Sequence, residues 1–172
     1  QHNIKPILGV ELQLNTGLPI VLLVKNKTGW SNLLRLVNYY HLAQPVKKQL
    51  EPSTLAAHSA GLILVVHTRG EGVSWQGNSF LPLVEETLRM LHPFYANNLY
   101  LALEKAGLPG EERLNEQLAA LAQRLQLTLL ATQNVHYLHV DDEPLYRMVN
   151  CIRTGKPLAG ACHYFLPRVA YD

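Results

Sequence analysis

The sequence has few cysteines and few charged residues, and this excludes several classes of protein. Its two cysteines, Cys151 and Cys162, form no CxxC pair and no dense disulfide framework of the kind that small secreted domains use. Charged residues make up 16% of the chain, against about 25% in typical soluble domains. The formal net charge of +2 is too small to indicate a phosphate-binding face. These scarcities favour a reducing cytoplasm and a surface that is partly covered by neighbours.

Membrane and targeting signals are also missing from the sequence. No apolar run approaches the roughly 18 residues of a membrane-spanning helix. The first ten residues, QHNIKPILGV, lack the charged start and long apolar core of a signal peptide. We therefore expect a cytoplasmic location and no membrane partner. Because the chain begins almost directly on a strand and without methionine, we also expect it to be a piece of a longer protein.

Common nucleotide-binding and hydrolase motifs do not occur. No G-x-G-x-x-G follows a strand, and no G-x-x-x-x-G-K-[ST] is present. The stretch RGEGVSWQG lacks the strand-to-helix setting of a nucleophile elbow. It belongs to a segment rich in Gly and Ser, residues 69–79, which we predict to be a loop.

Hydrophobic residues are plentiful, at 48% of the 172 residues, which is enough for one domain with a sizeable core. Short apolar runs alternate with helical patterns. The predicted strands are residues 4–14, 18–25, 61–67, 97–104 and 127–137. The predicted helices are residues 28–42, a short helix from Ser53, and residues 80–92, 107–126 and 143–155. Strands that are apolar throughout, between helices, predict an α/β fold with mainly parallel strands.

Two of these helices carry specific expectations. In the first, we predict Thr28 as the N-cap and a buried face that includes Trp30, Leu33, Leu34 and Val37. In the last, we predict the cap at Asp141 or Asp142, Pro144 near the first turn and Gly155 as the stop. Cys151 lies on this helix among apolar neighbours, which favours a buried thiol.

Several polar residues fall near the predicted ends of strands. They are Glu11, His67, Glu104, and the pair Asn134 and His136. Because sites in parallel α/β folds lie at the carboxyl ends of strands, these residues are predicted to approach one another.

Six segments resemble one known family in their order and spacing. They are KPILGVEL, LLVKNKTGWSNLLRLV, HSAGLIL, LYLALEKAGLPGEERLNEQLAALAQRL, LLATQNVHYL and CIRTGKPL. Together they resemble the later part of the PHP (polymerase and histidinol phosphatase) domain of the bacterial DNA polymerase III alpha subunit, over most of residues 4–158. The resemblance implies a partial, distorted (β/α)7 barrel from which the first two βα units are absent. It also implies one domain over residues 1–172, with 159–172 as a linker to the polymerase region.

The resemblance implies four candidate metal ligands. In complete members up to three metal ions sit at the strand ends and hydrolyse phosphoesters, whereas in others the site has decayed. Glu11 of GVE matches the carboxylate that bridges two metals, and His136 of NVHY matches the histidine of an Asp-x-His motif. Asn134 stands where active members have aspartate and would be a weak ligand. His67 falls at or beside a position that is often cysteine and would be a shifted ligand.

The sequence also departs from the metal-binding pattern. Pro19 stands where metal-binding members carry histidine, and Ala102 and Ala106 replace the acid and the histidine of a Glu-x-Gln-x-His-Gly pattern. No residue is assigned a catalytic role. A degenerate metal site and a structural or docking role are favoured, with zinc or manganese as the metal if the site is retained. The alternative is a metal-dependent phosphoesterase, either a 3′-5′ exonuclease or a pyrophosphatase.

The resemblance further implies that the parent protein is a DNA-directed DNA polymerase, a nucleotidyltransferase of bacterial DNA replication, and that this segment is not catalytic alone. The expected partners are the polymerase domains of the same longer chain, a proofreading exonuclease or another replisome subunit, and DNA indirectly. Open sheet edges in a partial barrel also favour a homodimer of this segment. Six basic residues either contact DNA or the polymerase domain or form solvated surface: Lys25, Lys27, Lys47, Lys48, Arg153 and Lys156.

Overall fold

The computed structural model describes residues 4–43, 49–68, 80–105, 110–133, 135–155 and 157. Within them the strands are β1 (Gly9–Gln13), β2 (Pro19–Val24), β3 (Leu62–Val66), β4 (Leu99–Glu104) and β5 (Thr128–Thr132). The α-helices are α1 (Lys27–Asn38), α2 (Pro52–Ala57), α3 (Phe80–Tyr95), α4 (Glu111–Leu125) and α5 (Glu143–Thr154). A π-helical turn, Tyr39–Ala43, follows α1, and 3-10 turns lie at Ala96–Asn98 and Val140–Asp142.

The chain divides into two compact units. The first comprises Gln1–Leu103 with Leu118–Leu130, and the second comprises Glu104–Gln117 with Ala131–Asp172. No helix of the described residues is both long enough and apolar enough to cross a membrane. The predictions for the 69–79 loop, Asn134, Cys162 and the 159–172 linker fall outside the residues that the structure describes, as do those for Lys47, Lys48, Ala106 and Lys156.

The strands form one open sheet in the order β1-β2-β3-β4-β5. β1 pairs antiparallel with β2, β2 pairs antiparallel with β3, and β3 pairs parallel with β4. β1, β3 and β4 therefore point the same way, which confirms the α/β class and mainly parallel strands. β2 is the exception, because the short turn Leu14–Leu18 joins it to β1, and a parallel connection needs a crossover of a dozen residues or more. Gly17 provides the positive φ of +88° in that turn.

The core of the first unit lies on one face of the sheet. Alternate residues of β1, β2 and β3 are buried there, and α1 and α3 pack against β3. The main contributors are Leu12, Ile20, Leu22, Leu64, Val66, Leu33, Leu36, Val84, Leu88 and Leu91. Each such side chain contributes about 1.5–3 kcal/mol relative to exposure. Tyr95, at the end of α3, is also buried, and its hydroxyl donates a hydrogen bond of 3.2 Å to the carbonyl oxygen of Leu55.

The start of α1 differs from the prediction. Its N-cap is Asn26, whose backbone is extended and whose Oδ1 accepts a hydrogen bond of 3.0 Å from the Gly29 amide. Thr28 is already inside the helix, so the prediction of Thr28 as the cap was wrong. An asparagine three residues before the bonded amide satisfies one of the donors that every helix start leaves free.

The buried face of α1 is also rotated from the predicted one. Leu33 is buried as predicted, but Trp30 and Leu34 are 42% and 44% exposed, and Gly29 and Asn32 are buried instead. The cause is a close approach of α1 to the turn before β3. A Cβ atom on Gly29 would lie 1.9 Å from the carbonyl oxygen of Gly61. Asn32 Nδ2 donates a hydrogen bond of 2.9 Å to the carbonyl of Ala60. These contacts fix which side of the helix faces the sheet.

The middle strands and the helices lie close to their predicted positions, but the predicted strands 4–14 and 127–137 are shorter in the structure, at Gly9–Gln13 and Thr128–Thr132. Two differences concern burial. β5 was expected to be buried, but Leu129 and Leu130 on this edge strand are exposed. Cys151 is half-buried rather than buried. In α4, Leu114, Leu118, Leu121 and Ala122 are buried.

The ends of α5 follow the prediction. Pro144 lies in the first turn, and Gly155 ends the helix in the left-handed conformation, with φ of +65°. Asp142 occupies the N-cap position, but its carboxylate accepts a hydrogen bond of 3.3 Å from the backbone N–H of His139 rather than capping the helix.

Candidate functional site

Glu11 lies in the middle of the edge strand β1, in the first unit. It stands opposite Val21 of β2, which in turn stands opposite Val65 of β3. Residues directly opposite in antiparallel strands point to the same face, so Glu11 shares its face with these two valines. That face is the one opposite the leucine-rich core, and Glu11 is exposed on it. The carboxylate is therefore accessible.

His67 is the first residue after β3, also in the first unit. Its backbone N–H donates a hydrogen bond of 2.9 Å to the carbonyl of Pro19, which holds it in line with the sheet. Because it lies two residues beyond Val65, the strand alternation places its side chain on the face that carries Glu11. The structure thus brings two of the four candidate ligands to one face of one sheet.

The strand between these two residues provides no ligand. On the shared face, β2 presents Pro19, Val21 and Leu23. Strands lie about 4.8 Å apart and rise about 3.3 Å per residue, so Cα atoms two strands and two residues apart are separated by about 12 Å. Side chains stand roughly perpendicular to a sheet, and a metal–ligand bond measures about 2 Å. A single ion between Glu11 and His67 would therefore require both side chains to lean toward each other across β2.

β4 contains two of the residues named from the sequence, Ala102 and Glu104. Ala102, which replaces the family's acid, is fully buried within the strand. Glu104 ends the strand and is buried, and its backbone carbonyl accepts a hydrogen bond of 2.8 Å from Asn115 Nδ2 at the start of α4. Asn115 was not predicted to have a role, and its contact indicates that this strand end is held in place by the helix that follows.

His136 lies in the second unit, and its surroundings are aromatic. Its ring stacks on that of Tyr146 in α5, with centroids 4.8 Å apart and an angle of 23° between the planes. Tyr137 contacts the same tyrosine at 5.8 Å and 49°. Stacking of this kind contributes about 0.5–1.5 kcal/mol beyond area burial. Sequence reasoning missed Tyr146, because ten residues separate it from His136 and no short-range pattern connects them.

Among the residues that the structure describes, no group of three or more His, Cys, Asp or Glu side chains lies close enough together to hold a metal ion. The two candidate ligands on the shared face, Glu11 and His67, are separated by β2 and do not by themselves fit the multi-metal cluster that the family pattern implies. Asn134, the fourth candidate ligand, lies outside the described residues.

Comparison with known proteins places the chain among related sequences. The model of the PHP domain matches residues 1–106. An error-prone DNA polymerase of Symbiobacterium thermophilum is 32% identical over 172 residues, which cover 90% of this chain and 16% of that protein. The DNA polymerase III alpha subunits of Bacillus subtilis and Haemophilus influenzae are both 28% identical, covering 96% and 90% of this chain and 15% and 14% of those proteins. The chain therefore spans about 15% of the length of these curated relatives.

Proposed function

Since the matched region is more than half of its length, the chain belongs to the PHP domain family, and we propose that it is the PHP segment of a DNA polymerase III alpha subunit or a close homologue. In this role it serves DNA replication as a structural part of a longer polymerase. Its metal site is degenerate, and the chain does not act as a phosphoesterase by itself.

The observation that carries the proposal is the composition of β2 on the face shared by Glu11 and His67. A metal cluster needs several ligands at bonding distance, and bridging carboxylates hold neighbouring ions together. Pro19 and Val21 occupy the position between the two candidate ligands, and neither side chain has a donor atom. A proline there also fixes the backbone φ angle.

His136 supports the same proposal from the second unit. A histidine that serves as a metal ligand is usually oriented by a hydrogen bond from its other ring nitrogen to a carboxylate or carbonyl. The contact that orients His136 here is the stacked ring of Tyr146. Such a contact stabilises local packing.

The phosphoesterase alternative has one observation in its favour. Glu11 is exposed and His67 is half-buried on the same face of the sheet, so a carboxylate and an imidazole lie on one face. A metal held there would supply an activated hydroxide for phosphoester hydrolysis. The alternative requires further ligands beyond these two residues.

An experiment separates the two functions in the longer polymerase chain. We expect Glu11→Ala to leave DNA synthesis and thermal stability unchanged, because Glu11 is exposed and does not support the core. Gly29→Ala, which disturbs the contact between α1 and β3, should lower the stability of the polymerase and its DNA synthesis together. Release of nucleotides from DNA 3′ ends, or hydrolysis of pyrophosphate, with manganese or zinc is measured in parallel. Hydrolysis that Glu11→Ala abolishes would support the phosphoesterase instead.

A further inference from the structure

α5 presents its apolar side outward. Leu145, Met148, Val149 and Ile152 are all exposed, Ile152 to 81%. They follow the spacing i, i+3, i+4 and i+7, which places them on one stripe of the helix. Asn150, on the other side, is only 5% exposed. A helix that packs by its apolar side has the reverse arrangement.

Aromatic contacts hold the polar side of α5 inward. Tyr146 stacks on His136 and lies against Tyr137. Two further contacts lie within the helix itself: Asn150 Nδ2 donates a hydrogen bond of 3.2 Å to the carbonyl of Tyr146, and Arg147 forms an ion pair with Glu143. A rotation that buried the stripe within the unit would break the aromatic stack. The stripe of Leu145, Met148, Val149 and Ile152 therefore faces outward by construction.

The spacing of the stripe matches a known mode of recognition. An amphipathic helix that enters a groove uses anchors at i, i+3, i+4 and i+7. Full burial of four such side chains contributes about 1.5–3 kcal/mol each before the costs of ordering. The stripe carries no charged side chain, so a groove that receives it can be apolar throughout.

We propose that the α5 stripe docks in an apolar groove of the domain that follows this segment in the longer polymerase chain. The proposal rests on the proposed function, because it requires the longer chain. The curated relatives are about six to seven times as long as the part that this chain matches. α5 is also the last helix of the described residues.

The small area of the stripe favours a domain of the same chain, rather than a second copy of the chain, as its partner. Twelve helical residues span about 18 Å, and a face about 10 Å wide gives an area on the order of 200 Å². A stable interface between separate proteins buries about 800 Å² on each partner. A domain in the same chain has an effective concentration on the order of millimolar, so a small contact suffices to hold it.

Hydrogen exchange of residues 143–155 tests the proposal. We expect these amides to exchange at least about tenfold more slowly in the longer polymerase chain than in the 172-residue chain. Ile152→Glu should return their exchange in the longer chain to the rate of the 172-residue chain. Met90→Glu on α3, also at an exposed apolar position, is the matched control and should leave this protection intact. Equal exchange of residues 143–155 in both chains would overturn the proposal.

Two further measurements distinguish the other outcomes. Light scattering of the 172-residue chain over a range of concentrations detects self-association. If the chain forms a dimer and Ile152→Glu abolishes it, the stripe binds a second copy of the chain. That result would overturn the proposal that the stripe docks in a groove of the following domain. Far-UV circular dichroism of Ile152→Glu should be unchanged, because Ile152 supports no core. The amides of α5 could exchange equally fast in both chains while Gly29→Ala still impairs the polymerase. In that case the α5 docking proposal is wrong, but the proposed structural function of the segment is retained.

Discussion

The contact between Gly29 and Gly61 makes a quantitative prediction for Gly29→Ala. The added methyl group would lie 1.9 Å from the carbonyl oxygen of Gly61 and 2.6 Å from its carbonyl carbon. Cβ atoms essentially never approach other heavy atoms closer than 3.0 Å, so the start of α1 must move by about 1 Å. The clashing atoms belong to the backbone of Gly61, which cannot relieve the clash by changing rotamer as a side chain could.

The magnitude follows from the contacts that this shift breaks. Loss of the Asn26 cap on the Gly29 amide costs about 1 kcal/mol. Loss of the 2.9 Å bond from Asn32 to the Ala60 carbonyl, with a buried amide left without a partner, costs about 1–3 kcal/mol. Alanine regains about 1 kcal/mol of helix propensity over glycine. The net destabilisation is about 2 kcal/mol, or about 4–8 °C in Tm for a chain of this length.

Thermal and urea unfolding of the 172-residue chain measure this effect. Ser31→Ala, at an exposed position two residues further along the same helix, is the matched control and should change stability by less than about 0.5 kcal/mol. Equal stability of Gly29→Ala and Ser31→Ala would refute the reasoning, because the close approach would then be easily relieved.

Two more predictions concern tyrosines. Tyr95→Phe removes the bond to the Leu55 carbonyl and should cost about 1 kcal/mol near neutral pH, measured by urea unfolding. Burial raises the pKa of the Tyr95 phenol above its ordinary value of 10.0, so the folded state retains a proton that the unfolded state loses. The free energy of unfolding should therefore fall as pH rises above about 10, and it should fall less in Tyr95→Phe. An equal fall in both proteins at alkaline pH would contradict this. Tyr146→Leu removes the stacked partner of His136 and should cost about 1 kcal/mol and shift the His136 ring resonances in NMR spectra, whereas unchanged resonances would argue against the stack.

The course of the chain in the first unit could be predicted from the sequence because local and long-range signals agree there. The apolar runs that became β2, β3 and β4 are short, bounded by turn residues and buried on the helix side. The reversal of β2 was harder to predict, because apolar strands look alike in either direction. The short connection Leu14–Leu18 was the available signal, since it fits a hairpin and no crossover.

The face of α1 could not be obtained from hydrophobicity alone. Trp30 and Leu34 are apolar and exposed, while Asn32 is polar and buried, because the contact with the turn at Ala60 and Gly61 decides the orientation. The KNKTGWSN stretch nevertheless contained the signal. Asn26 and Gly29 have the spacing of an N-cap and its bonded amide, and a glycine at that position permits a close approach.

The candidate site could be predicted only in part, because it depends on the register between strands. The sequence placed Glu11 and His67 near strand ends, and the structure places both on one face. The intervening Pro19 and Val21 become decisive only when the pairing of β2 with both neighbours is known. The stacking of His136 on Tyr146 likewise depends on how the chain turns between β5 and α5.

The metal content of the protein tests the central claim most directly. The chain and its Glu11→Ala variant are purified without chelator and analysed for zinc and manganese by elemental analysis. A degenerate site predicts far less than one ion per chain and no difference between the two proteins. Near-stoichiometric metal that disappears in Glu11→Ala would contradict the structural function proposed here.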